Sequence, residues 1–215
     1  MKTKRKTTIA TTYQGYPILT DAERGLAIDT EIMKKIINQF TYAEENMSKV
    51  FAFRFDLHFP QEMIAQQDNE HFKHFISAYQ KNLSRKGLSP QYIAVREQRQ
   101  SQNPHYHVLS ILDGQKTRNS RGHLQTAERL WANELGIKTE NPATLGLVNY
   151  CERDKKTGER TRNGVMLDHN RDEYPYELDH AIKRASYLAK VNQKKLTPKG
   201  VREVFASQLP REYRH

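Results

Sequence analysis

Three observations predict an α+β fold, an antiparallel β-sheet with helices packed mainly on one face. Apolar residues alternate strictly along residues 50–59. Two short apolar runs, residues 92–97 and 105–112, flank a polar turn, as in a β-hairpin. Four other segments repeat apolar residues at helical spacing. The order is helix, strand, helix, strand, strand, helix, strand, strand, helix, and its strand–helix–strand part suits a split β-α-β plan.

Residues 1–20 read as a polar, basic arm. Residues 21–46 are expected to be helical, because Ile28, Ile32, Ile36 and Phe40 share one face with Met33 and Ile37 beside them. In residues 50–59, Phe51, Phe53, Phe55, Leu57 and Phe59 point one way, while Ala52, Arg54, Asp56 and His58 point the other and are placed to line a site. Pro60 ends the strand. Residues 68–86 form a helix with Phe72, Phe75, Ile76, Tyr79 and Leu83 as its stripe and Gly87 as its stop. Asp113-Gly114 marks a turn after the hairpin. Residues 121–135 form a third helix, with Leu124, Ala127, Leu130, Trp131 and Leu135 inward and Gly136 as its stop. Residues 144–151 are a strand, 154–163 a charged loop, 164–167 a return strand and 177–192 the last helix. The division expected is an arm and helix over 1–47, a main unit over 48–195 and a basic tail over 196–215.

Lys and Arg total 35 against 25 Asp and Glu, a formal charge of +10 over 215 residues. That excess favours polyanionic partners, since each phosphate neutralised releases counterions. Cys151 is the one cysteine, so a disulfide framework and a cysteine-based zinc site are excluded within one chain, which suits a reducing cytoplasm. The basic N-terminus is followed by polar sequence rather than by an apolar signal segment. No apolar run approaches membrane-spanning length.

His105 and His107, two apart on a strand, project from the same face and can hold a divalent cation. The hairpin brings Glu97 near as a third ligand, and such a mixed set suits Mn²⁺ or Mg²⁺ in a nuclease. Parity places Glu97 on the face of Ile93 and Val95, so a bulge or the strand end is expected to re-aim it. In residues 177–192, Leu178, Ile182, Ala185 and Ala189 form the apolar stripe, and Tyr187 lies opposite with Lys183, Lys190 and Lys194. Those ammonium groups favour phenolate character at Tyr187 and would hold a DNA backbone. An ordinary tyrosine on a solvated basic face fits the same pattern. Arg54 is a further candidate DNA contact, and Asp56 and His58 are candidate supports for the ligands. A plain surface histidine also suits His58.

Together these residues resemble the HUH endonucleases, and among them rolling-circle replication initiators of the inovirus type found in filamentous phages and prophage elements. The resemblance rests on Glu97, the short polar turn, Pro104-His105-Tyr106-His107-Val108-Leu109 and, downstream, Tyr187-Leu188-Ala189-Lys190. It covers residues 48–195. It implies a metal at His105 and His107, attack by Tyr187 on phosphorus, a 5′-phosphotyrosine link and a free 3′-hydroxyl. Lys190 and Lys183 would steady the phosphate or the phenolate. The implied partners are single-stranded origin DNA, including a hairpin, and a host helicase and polymerase, with no membrane. Position 183 is lysine and 191 is valine, so the second tyrosine of some relatives is absent. A DNA-binding protein without catalysis and an HUH transposase or relaxase remain alternatives, the relaxase through Tyr13 and Tyr16.

Overall fold

The computed structural model describes residues 5–98, 101–138, 140–153, 157–191 and 197–214. Six strands form its main sheet: β1 (Lys49–Leu57), β2 (Gln91–Glu97), β3 (His105–Asp113), β4 (Val148–Asn149), β5 (Val165–Asp168) and β6 (Val204–Ala206). The order is β6-β2-β3-β1, every pairing is antiparallel, and β4 and β5 share the edge beyond β1. The α+β class and the antiparallel hairpin thus hold.

The helices are α1 (Thr30–Asn46), α2 (Glu70–Arg85), α3 (Arg121–Glu134) and α4 (Tyr174–Ala185). They cover both faces of the sheet, not mainly one. Phe51, Phe53, Phe55 and Leu57 pack with α2 and α3. Val50, Ala52, Ile93, Val95, Leu109 and Ile111 pack with α1 and α4. A strand apolar on both faces needs cover on both, and β1 is buried from Val50 to Leu57.

The stripe expected on α2 is its buried set: Phe72, Phe75, Ile76, Tyr79 and Leu83. Gly87, at φ +71°, ends that helical segment without strain. The first helix begins at residue 30 rather than 21, because Asp29 caps it by accepting from the backbone N–H groups of Glu31 and Ile32. Ile28 belongs to a short ladder with Thr8 and is buried there. The strand expected over 144–151 shrinks to β4. A 3₁₀ turn occupies Pro142–Leu145, and Gly146 is left-handed at φ +61°. The tail supplies β6, which pairs with β2 through Val204 opposite Val95. So the N-terminal helix and the tail strand share one core with residues 48–195. Among the described residues, no helix is long and apolar enough to cross a membrane.

Ile36 is fully buried where α1 meets the sheet. Ile36→Ala should cost about 2–5 kcal/mol in urea unfolding followed by circular dichroism, within the same single transition as the sheet. A wild-type midpoint would show that α1 folds apart from it.

Candidate active site

Register builds the site. In antiparallel strands, residues directly opposite point to the same face. Asp56 lies opposite His107, and Glu97 lies opposite His105. All four therefore share the face that carries Val95 and Leu109. No bulge re-aims Glu97. The face is apolar through its middle and polar at this end, so Glu97 keeps regular strand parity and still meets the histidines.

The contacts are short. Glu97 Oε2 is 2.9 Å from His105 Nε2 and 2.6 Å from His107 Nε2. On its other side His107 donates from Nδ1 to Asp56 Oδ1, at 2.6 Å. Glu97, His107 and Asp56 are buried. His105 is half-buried and stacks on His58, with ring centroids 5.6 Å apart. Burial pushes the Glu97 carboxyl up, but hydrogen bonds and charge from His105 and His107 outweigh it and hold the group at about 2. Burial lowers the affinity of His107 for a proton, yet Asp56 and Glu97 overcome this and raise its pKa.

Glu97, His105 and His107 bring one ligand atom each within 4.8 Å of one another. This is a candidate metal group whose donor set fits a divalent cation. The Asp56 contact fixes the His107 ring by its Nδ1, the usual outer support of a metal-binding histidine, and leaves Nε2 as the ligand atom. A cation would displace a proton from Nε2, so binding strengthens as pH rises.

Tyr187 arrives by a change of helix type. α4 ends at Ala185, and Ser186–Ala189 is a 3₁₀ turn. Ser186 anchors it: Oγ donates to Lys183 O and accepts from Leu19 N–H. Lys190 then bridges to Ile28 as extended backbone. The helical-wheel placement fails past residue 185. Tyr187 turns toward the sheet, its ring 5.1 Å from that of His107 and nearly perpendicular to it.

The Arg54 guanidinium lies 4.4 Å from the Tyr187 ring centroid, and the Lys190 ammonium 4.2 Å. Burial, then the charges of Glu97 and Asp56, push the Tyr187 phenol up to about 12, with Arg54 opposing. Lys183 is exposed on α4. Lys194 lies outside the described residues.

Sequence reasoning missed three supports. Arg184 donates to Cys151 O at 3.3 Å, and its own carbonyl accepts from Arg54 Nη1 at 3.2 Å. The Cys151 thiol is pushed up to about 12 by burial and by Asp56 beside it. Asn163 takes the edge of β1 between β4 and β5, accepting from Arg54 N–H at 3.0 Å and donating to Arg54 O at 2.6 Å. The signal for Asp56 was its place between Arg54 and His58 in the alternation; Asn163 gave none.

The family model described as the YagK/YfjJ C-terminal domain matches residues 8–203. The chain belongs to that family. The YagK/YfjJ match takes in all four helices and the five strands β1–β5. No match is found among curated proteins. Among solved structures, the N-terminal nuclease domain of non-structural protein 1 of minute virus of mice is similar at 12% identity. The match covers 61% of this chain and 78% of that one, with a TM-score of 0.32. That domain is described as having a unique Zn²⁺ coordination in its active-site pocket and a novel mode of DNA recognition at the origin of replication. Such a score is too low to establish a shared fold.

A divalent cation such as Mn²⁺ should raise the melting temperature, by the equivalent of about 2.7 kcal/mol at a hundredfold excess over its Kd. His105→Ala and His107→Ala should lose that rise in a thermal-shift assay. With a chelator present, Glu97 makes a second signature. Its folded pKa lies below the ordinary 4.5, so its stabilisation is full above 4.5 and disappears as pH falls through about 2. Acid unfolding should show that loss, and Glu97→Gln should shrink it.

Proposed function

We propose that the protein nicks single-stranded DNA with Tyr187 as nucleophile, as an initiator of rolling-circle replication of the inovirus type. The observation that carries this reading is the meeting of Tyr187 with Glu97, His105 and His107 at one polar end of the sheet. They come from segments far apart in sequence, and the buried Asp56 supports one ligand from behind.

Glu97, His105 and His107 would hold the cation, Mn²⁺ or Mg²⁺. When bound, it would polarise a phosphate oxygen and offset the carboxylate charge that raises Tyr187. Tyr187 Oη forms a bond to phosphorus and gives up its proton. The bond from phosphorus to the 3′-oxygen breaks, and that oxygen leaves as a hydroxyl after taking a proton. The product is a 5′-phosphotyrosine and a 3′-end that a host polymerase could extend, with a helicase opening the duplex.

The resting phenol is held protonated, so its proton must leave in the same step. Arg54 and Lys190, both stacked on the ring, favour the developing phenolate and the pentavalent phosphate. Lys183 stands outside that ring contact and is assigned to the DNA backbone, as is Lys194. His58 is assigned to orienting His105 by stacking. With a single tyrosine here, a second cleavage would need another nucleophile or another subunit.

Incubation with Mn²⁺ and a single-stranded origin oligonucleotide should give a covalent adduct on a denaturing gel. Tyr187→Phe should give none. Asp56→Asn should keep the fold and slow adduct formation by about 10- to 100-fold through weaker metal binding. An adduct from Tyr187→Phe would sink the assignment. Tight DNA binding with no cleavage under any divalent metal would make the protein a binding module.

A further inference from the structure

The β6 edge of the sheet carries a second feature. Beside the edge strand β6, α1 and the chain after it enclose a depression of about 410 Å³. Lys34, Lys35, Arg202 and Arg214 line it, against Glu31 as the carboxylate among its lining residues. Both arginines are held at their Nε atoms by backbone carbonyls. Arg202 donates to Val204 O at 2.9 Å and Arg214 to Leu209 O at 2.6 Å. That fixes each guanidinium while keeping its other N–H groups for a ligand, the arrangement suited to phosphate.

Two further groups give the depression chemistry beyond charge. Gln39, 2% exposed, donates to Ser207 O at 2.9 Å, and its Oε1 has no hydrogen-bond partner among the described residues. A buried acceptor of this kind calls for a donor, which a nucleobase amine offers. Tyr213 also lines the depression, its ring fixed edge-on to Tyr42 at 5.0 Å and its hydroxyl donating to Glu45. Anion seats, an amide acceptor and a fixed aromatic ring together match a nucleotide strand.

A neighbouring depression shares Glu31, Lys35 and Val204 but differs in charge. There Arg5 is ion-paired with both Asp29 and Glu203. The preference for an anion therefore lies in the first depression. Its position follows from register: the depression runs along the outer edge of β6, from Arg202, beside the pair Glu203 and Arg96, past Ala206 opposite Ile93 to Ser207 beside Tyr92, and none of the cleavage residues lines it.

We propose that this depression binds a phosphodiester segment of the single-stranded DNA substrate, along the β6 edge and apart from the residues of the cleavage centre. It rests on the reading that single-stranded DNA is the substrate, and it adds a second seat that lengthens the footprint. The triple variant Lys35→Ala, Arg202→Ala, Arg214→Ala changes exposed side chains outside the cleavage site.

Fluorescence anisotropy on the full chain should compare oligonucleotides of about 4 and about 20 nucleotides, the span of known single-strand site sizes. The triple variant should lose on the order of tenfold affinity for the longer one, with a log–log salt slope flatter by about 2. The shorter one should bind as to wild type. Adduct yield at saturating DNA should be retained. Wild-type affinity and slope for the longer oligonucleotide, or equal losses for both lengths, would overturn the proposal. If the triple variant does not fold, Lys35→Glu alone carries the test, with a severalfold loss expected for the longer oligonucleotide only. A length-dependent loss from a protein that never forms an adduct would refute the nicking chemistry and leave this seat standing.

Discussion

The structure depends on the pairing register of three strands. β1, β3 and β2 are fixed so that Asp56 faces His107 and Glu97 faces His105. A slip of one residue would send every side chain to the opposite face, and the polar chain from Asp56 through His107 to Glu97 would enter the aromatic core of Phe53, Phe55 and Tyr106. Apolar burial on both faces of β1 makes that slip prohibitive. The large side chains of one face and the small ones of the other cannot exchange places, since close-packed layers tolerate little volume change. The core thus sets the geometry of the site.

Burying Asp56, Glu97 and His107 together carries a desolvation cost that only mutual pairing can offset. Each contact does part of this. The imidazole spans two carboxylates, and Arg54 lies 3.7 Å from Asp56 on the far side. Arg54 is itself fixed by Arg184 O and, along its backbone, by Asn163. The loop is therefore tied to the ligands through the Arg54 backbone and the helix α4 through its guanidinium, which also touches Tyr187. Changes at Asn163 or Arg184 would reach the tyrosine without touching it.

Local pattern made much of this legible. The α2 stripe, the alternation of β1 and the paired histidines on β3 follow from periods of 3.6 and 2. The rest depends on tertiary constraints. Parity alone mis-aims Glu97 only if a strand face is core or site along its whole length, and this one changes character between Val95 and Glu97. A helix continued past Ala185 would place Tyr187 on its solvent face. Ser186 and the Lys190 bridge to Ile28 stop it, and Ile28 lies far off in sequence. β6 is three residues long, too short for alternation to register, and Asn163 stands in for a strand with a single side chain.

The 3₁₀ turn at Ser186–Ala189 also explains how a tyrosine can sit against two carboxylates. On a continued α-helix the side chain would stand roughly opposite Leu178 and Ile182, whose burial against α1 faces the sheet. Tightening the last turn rotates residue 187 inward while Leu188 and Ala189 keep the apolar contact. The ring then lies between cations and anions. Arg54 and Lys190 stack on it, and burial, then Glu97 and Asp56, raise its pKa. Burial, with the two carboxylates adding to it, outweighs Arg54 in the resting site and keeps the phenol neutral. Any cation placed on Glu97 would offset part of the carboxylate charge that opposes Arg54. A cation at Glu97 would thus lower the cost of ionising the tyrosine, while burial would still hold it protonated at rest.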